Sequence, residues 1–446
     1  MKTKFGVAVL LALMLAAATG SPAETRPLPV AVRSLVDREY SSLLDLYKHL
    51  HRHPELSLRE EQTAARIAEE LRQAGYQVTT GVGGHGVVAL LPNGKGPTVL
   101  VRADLDALPV KEQTGLPYAS TITTRDDEGR EVPVMHACGH DVHMTALVGT
   151  ARVLKQLQDR WQGTLVLIGQ PAEERVSGAR RMLADGLFTR FPRPDYVLAL
   201  HVSADIPAGA VGYTEGYALA NVDSVEITIR GVGGHGAFPH KARDPIVLAA
   251  QTVLALQTIV SREIAPGEPA VVTVGSIHGG TKNNIISDEV RLQLTVRSYT
   301  AEVRKQILES VQRITRGLAV AAGMPEDRLP VVRVGSEPTS ATYNDPKLTQ
   351  RLAEAWQSWF GEQQVVRRKP VMGAEDFSEY GRTQPTVPIC MFWLGAVQPD
   401  TLKDRGSAAT PLPALHSPLF APVPEPTIKT GVTAMTAAVL ELTGGK

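Results

Sequence analysis

Apolar positions divide the chain into stretches of two different periods. Residues 33–50 and 60–74 repeat at helical spacing, and the second stretch stops at Gly75. Short β-type runs follow at 77–80 and 87–91, with a turn at Asn93-Gly94-Lys95-Gly96. Three mainly apolar runs come next, at 98–101, 165–169 and 197–200, with helical stretches near 143–158 and 177–185 between them. Strands apolar on both faces, alternating with helices, predict an α/β fold whose mostly parallel sheet is covered on both sides. Between 222 and 334 the order becomes β-α-β-β-α-β: 222–230, 245–260, 270–276, 289–298, 301–322 and 330–334. That order predicts an inserted ferredoxin-like satellite domain. The larger unit resumes with a helix near 345–360, a strand at 388–394 and a closing helix at 427–442. The expected division is 1–23 signal peptide, 30–217 and 339–446 catalytic metal-binding domain, and 218–338 satellite.

The N-terminus stands apart from this pattern. Lys2 and Lys4 precede an apolar run at 5–18, and small residues continue through Ala23. A positive start, a short apolar core and a small-residue exit describe a secretory signal peptide, so the protein is expected to be exported, periplasmic or secreted. The run is shorter than the about 20 residues a membrane span needs; an N-terminal anchor is the competing reading. No later segment reads as long and apolar enough to span a membrane, so none is expected after cleavage. Lysine plus arginine equals aspartate plus glutamate at 46 each, so no basic field points to nucleic acid. Two cysteines, Cys138 and Cys390, cannot frame 446 residues, so core packing must carry stability. A 138–390 disulfide is a competing use of Cys138.

Candidate chemistry follows the three central strands. The first runs into Arg102-Ala-Asp104-Leu-Asp106, the second into Gln170-Pro-Ala-Glu173-Glu174, and the third ends at His201. Open α/β sheets bind ligands beyond the carboxyl ends of their strands, so all three deliver acidic or imidazole groups to one edge. In Met135-His-Ala-Cys-Gly-His-Asp-Val-His143, extended backbone would point Cys138 and His140 the same way, toward one cation. Thiolate and imidazole suit zinc and its neighbours. The pair alone reads equally as a buried cysteine beside a helix-capping histidine; the density of His136, Cys138, His140, Asp141 and His143 favours metal. Glu173 and Glu174, otherwise an ordinary solvated pair, can divide the work, one ligating and one acting as general base. Asp104 and Asp106 are candidate ligands or supports for ligating histidines. His416, a lone histidine, reads alone as structural. Two glycine-rich loops, Gly231-Val-Gly-Gly-His235-Gly-Ala-Phe-Pro-His240 and Gly279-Gly-Thr-Lys-Asn283-Asn284, lack the signatures of phosphate or dinucleotide binding.

Taken in order, these segments resemble the dinuclear metallo-amidohydrolases, which include hippurate hydrolases, plant auxin-conjugate hydrolases and bacterial N-acyl-amino-acid amidohydrolases. The resemblance rests on Leu50-His-Arg-His-Pro-Glu-Leu-Ser57, Arg102-Ala-Asp-Leu-Asp-Ala-Leu-Pro109, 135–141, 170–174, 234–240, Gly373-Ala-Glu-Asp-Phe-Ser378 and His416-Ser-Pro. It implies that Cys138, His140, Glu174, His201 and His416 hold two divalent metal ions, zinc first, with manganese, cobalt or nickel open. It implies that Glu173 is the general base and that His235 polarises the substrate carbonyl, often from a partner subunit's satellite. Asn284 would lie near the substrate carboxylate, and a homodimer or higher oligomer would form through the satellite. The chain departs from the family at Asn284-Ile-Ile-Ser287, at Leu415-His416, and in a longer, polar stretch at 123–134 expected to reshape the substrate entrance. The implied reaction is hydrolysis of N-acyl or N-aroyl amino acids to a carboxylic acid and a free amino acid. A dipeptidase or carboxypeptidase with the same metals is the alternative, and an exported binding protein that has lost catalysis is a third reading. Retention of Glu173 and all five ligand candidates argues against the third. Pocket shape, not fold, selects among substrates.

Overall fold

The structure is a computed structural model that describes residues 27–335, 339–403 and 412–444. The expected signal peptide lies outside the described residues. An eight-stranded sheet runs in the order Gln77–Val82, Gly86–Asn93, Gly163–Gln170, Thr98–Asp104, Tyr196–Pro207, Ile389–Val397, Val211–Tyr213, Val365–Arg367. The four neighbours from Gly163–Gln170 to Ile389–Val397 are mutually parallel, as their apolar runs require. Antiparallel pairs close the Gln77–Val82 side and join Val211–Tyr213 to Ile389–Val397.

Alternation along each central strand feeds two separate cores. Val99, Val101, Leu165, Leu167, Leu198 and Leu200 face a layer of helices that includes Leu28–Arg52, His140–Gln156 and Pro424–Leu442. Leu100, Val166, Ile168, Val197, Ala199 and Met391 face the other side, against Ala179, Met182 and Phe377. Complete burial of each such aliphatic side chain contributes about 1.5–3 kcal/mol, which fixes strand register firmly. A slip of one residue would turn Arg102, Asp104 and His201 away from the face they share.

The satellite has its own four-stranded antiparallel sheet, ordered Ala270–Gly279, Glu289–Ser298, Asn221–Arg230, Val331–Val334. Its core joins Ile227, Ile229, Leu292 and Leu294 to Leu248 and Leu256 of one helix and Ile307 and Val311 of the other. One expectation needs correction here. Helix Pro245–Thr258, continued by Ile259–Glu263, forms a 19-residue segment long and apolar enough by composition to cross a membrane. One apolar side of it, with Leu248, Ala249, Leu256 and Ile259, packs on the satellite sheet, while Val247, Leu254 and Val260 are exposed. Cys138 and Cys390 are both free and buried, so neither is spent on a disulfide.

Candidate metal centre

Cys138 sits in a turn and His140 opens the helix His140–Gln156. The expected extended pair is therefore corrected: a turn, not a strand pleat, aims the two side chains. Gly139 between them adopts φ +78, where a Cβ would meet Val202 Cγ2 at 2.5 Å. Only glycine takes that backbone without strain or collision. His201 likewise does not end its strand, which continues to Pro207; it projects from mid-strand opposite Trp393. Glu173 and Glu174 lie in the turn after Gly163–Gln170, between Ala172 at φ 52 and Val176 at φ 47. His416 itself has φ 67. Three of the four non-glycine residues with positive φ among the described residues thus flank one site, where such strain commonly concentrates.

These turns bring the predicted ligands together. The donor atoms of Cys138, His140 and His201 lie within 4.8 Å of one another, as do those of Cys138, Glu174 and His416, and of His140, Glu173 and Glu174. Cys138 Sγ is 3.5 Å from His201 Nε2. Glu174 lies 3.9 Å from His140 Nε2 and 3.6 Å from His416 Nε2. The arrangement fits cations. His140 Nδ1–H donates to the Asp106 carbonyl and His201 Nδ1–H to the Val202 carbonyl, each at 2.8 Å, leaving both Nε2 atoms inside the cluster. His140 Nε2 and Glu174 Oε1 are buried without a hydrogen-bond partner, a condition that buried polar atoms rarely tolerate.

His143 is different. Its Nδ1–H donates to Asp104 at 2.6 Å and its Nε2 accepts the Val202 N–H at 3.0 Å, so neither nitrogen is left for a metal. Asp104 is similarly spent, with one oxygen on His143 and the other accepting from Arg102 Nη1 at 2.7 Å. Asp106 accepts the Ser57 hydroxyl at 2.6 Å and the Glu174 N–H at 3.0 Å, bracing the turn that carries Glu174. Asp141 belongs to another network, pairing with buried His51, which also reaches Glu112. His136 is buried, and burial lowers its pKa to about 4.

Carboxyl groups crowd the cluster and hold on to protons. Burial pushes Glu173 well above the usual carboxylate range, with Glu375 and Glu174 adding to it. Burial likewise raises Glu174 to about 7, reinforced by Asp106 and Asp104 against His140. Burial opposes protonation of His140, yet Asp104, Asp106 and Glu174 override it and hold its pKa up at about 10. His201 is lowered to about 3, by burial first and then by His143. Burial and the two glutamates raise the Cys138 thiol. Carboxylates crowded at this density are expensive to keep ionised unless cations join them.

Sequence reasoning missed the support beneath the site. Buried Arg102 donates to Gln170 at 3.0 Å, to Asp104 at 2.7 Å and to Glu375 at 2.8 Å, and lies 3.3 Å from Asp376. Asp376 also accepts from Gln170 Nε2 and the Ala179 N–H. The motif at 373–378 was visible, but nothing in its spacing says that it meets Arg102. Glu375 also has a carboxylate oxygen within 4.8 Å of donor atoms on Asp104 and Glu173.

A cavity of about 620 Å³ opens onto Cys138, Glu173, Glu174, His201 and His416. Trp393, Val371, Leu219 and Leu415 give it apolar walls, and Arg297 enters from the satellite strand Glu289–Ser298. Arg297 was also missed; its Nη1 donates to the Met372 carbonyl at 2.6 Å, and burial lowers its pKa. His235 and Asn284 are neighbours in the exposed satellite loops, where the Gly236 N–H donates to the Asn284 carbonyl at 2.8 Å. Neither lines this cavity. The polar stretch forms a small hairpin, Thr123–Arg125 with Glu131–Pro133, which does not line the cavity either. It reaches the site indirectly, where Asp127 pairs with Arg175 next to Glu174.

Known proteins resemble this chain in sequence and in fold. The chain is 38% identical over 339 residues to the N-acetyl-L-cysteine deacetylase of Bacillus subtilis, covering 76% of this chain and 77% of that one. It is 35% identical over 347 residues to thermostable carboxypeptidase 1 of Saccharolobus solfataricus, covering 77% and 84%. Among solved structures, the Bacillus subtilis YXEP protein, a dinuclear metal binding peptidase, superposes with TM-score 0.73 at 28% identity over 92% of this chain and 100% of that one. Residues 100–411 match the profile of peptidase family M20/M25/M40. The chain belongs to that family, as a metal-dependent hydrolase of amide bonds.

Proposed function

We propose that the protein hydrolyses N-acyl amino acids to a carboxylic acid and a free amino acid. The observation that carries this reading is Glu173, a buried carboxylate that abuts the five-donor cluster at the floor of an open cavity. Cys138, His140, Glu174, His201 and His416 would hold two divalent cations, zinc first, with manganese, cobalt or nickel also suited to such donors. Bound there, the cations would lower the pKa of a water and polarise the amide carbonyl. Glu173 takes the proton from the attacking water and returns it to the leaving amine nitrogen. Arg297, half-buried and without an acidic partner among the described residues, anchors the substrate carboxylate and sets the amide against Glu173. Asp104 and Asp106 hold His143, His140 and the Glu174 turn in place rather than binding metal. His235 and Asn284 would serve a cavity other than their own, reaching it from the satellite of a second copy, where His235 stabilises the oxyanion.

A second reading, a carboxypeptidase or dipeptidase, is favoured by the same cavity, because a peptide also presents an amide and a carboxylate. Kinetics on N-acetyl, N-benzoyl and indole-acyl amino acids beside dipeptides and a carboxypeptidase substrate decide between them. The expected result is kcat/KM at least about tenfold higher on N-acyl amino acids, about 1.4 kcal/mol of transition-state preference. Preference for free-amine dipeptides would overturn the first reading in favour of the second.

A further inference from the structure

The cavity carries more positive charge than one substrate carboxylate requires. Its wall passes from His201 to Trp393, whose rings meet at 5.9 Å, and on to Arg368, which crowds Gly212 together with Trp393. Arg368 is neutralised there by Asp205, which also accepts the Ser203 hydroxyl, so that trio satisfies itself. Lys369, the next residue, is exposed and lines the same cavity, and it has no ion-pair or hydrogen-bond partner among the described residues. Among the described residues Arg297 has only the Met372 carbonyl. Among the described residues, two cations therefore face the cavity without an acidic partner, one from each domain, while the acids at its floor are those that metal would match.

We propose that the pocket selects an amide bearing two carboxylates, one held by Arg297 and a second, remote from the scissile bond, by Lys369. This specificity rests on the amide-hydrolase reading above. The second carboxylate has two chemical sources, the side chain of the released amino acid or the far end of a dicarboxylic acyl group. Both present the same anion to Lys369.

The test is kcat/KM of the metal-loaded full-length protein on N-acetylleucine, N-acetylglutamate and N-succinylleucine, at low and high salt, for the native chain and for Lys369→Gln and Lys369→Glu. The native protein is expected to favour at least one dianionic substrate by about fivefold, the range of a partly exposed ion pair. Salt erodes that preference, Lys369→Gln brings the ratio toward one, and Lys369→Glu inverts it. Preference for N-acetylglutamate places the second anion on the amino acid; preference for N-succinylleucine places it on the acyl group. A native ratio near one, or a preference that survives Lys369→Gln, overturns the proposal. Turnover of N-acetylleucine without dianionic preference would sink this specificity alone, whereas no turnover of any of the three would sink the hydrolase reading with it. Lys369 is exposed, so thermal melts of both variants are expected to match the native protein.

Discussion

Glu173 and Glu174 are adjacent in sequence and nearly alike in burial, yet their surroundings give them different work. Both lie near His140 Nε2, Glu173 at 3.8 Å and Glu174 at 3.9 Å, but Glu174 groups with Cys138 and His416, whereas Glu173 groups with Asp104 and Glu375. Glu173→Gln keeps shape and removes only the proton acceptor. It is expected to lower kcat by about a hundredfold to ten-thousandfold with metal content unchanged, read by steady-state kinetics beside elemental analysis. Loss of metal in that variant would recast Glu173 as a ligand. A second expectation concerns protons. His140 is held up at about 10, Glu174 at about 7, and Cys138 is raised, so cations must displace protons to bind. Affinity should therefore rise with pH through about 7, where Glu174 gives up its proton, and on toward about 10, where His140 does, with proton release seen calorimetrically as a dependence of heat on buffer; a pH-independent affinity would contradict the donor set. The clustering of Cys138, His140, Glu173 and Glu174 was legible because few other uses explain a thiol, an imidazole and two glutamates in such motifs. Arg102, Glu375 and Arg297 were not, because a lone charge in sequence does not announce a partner brought to it by a distant strand or domain.

At the scale of elements, the parallel strands were readable because burial on both faces writes a continuous apolar run. What the pattern missed is local backbone. Periodicity places Cys138 and His140 two apart, but the φ +78 of Gly139 decides where they point. Gly139→Ala would cost about 1–2 kcal/mol for the left-handed backbone alone, before the contact with Val202 is counted. The expected outcome is a lower melting temperature and reduced metal content in purified protein. An alanine variant with full metal content would mean that the turn does not aim the ligands. The same reasoning covers His201, whose place in mid-strand reflects where Trp393 pairs with it rather than where the apolar run stops.

For the molecule as a whole, the order of elements made the inserted satellite visible, since β-α-β-β-α-β differs from the alternation around it. Its relation to the catalytic cavity was not visible, because that depends on Arg297 meeting Met372 across the domain boundary. The satellite also exposes the apolar side chains Val247 at 54%, Leu254 at 73% and Ile277 at 51%, which the proposed pairing of two copies would cover. Leu254→Glu should then shift the protein from dimer to monomer in sedimentation and lower activity together, since His235 and Asn284 would lose the cavity they are proposed to serve; a monomeric native protein with full activity would refute that assignment. The account depends most on the metal pair and its reaction. Metal-stripped protein should hydrolyse no N-acyl amino acid, and activity should climb with added zinc or manganese until two ions are bound per chain. Full hydrolysis by the stripped protein, or none after two ions have bound, would contradict it.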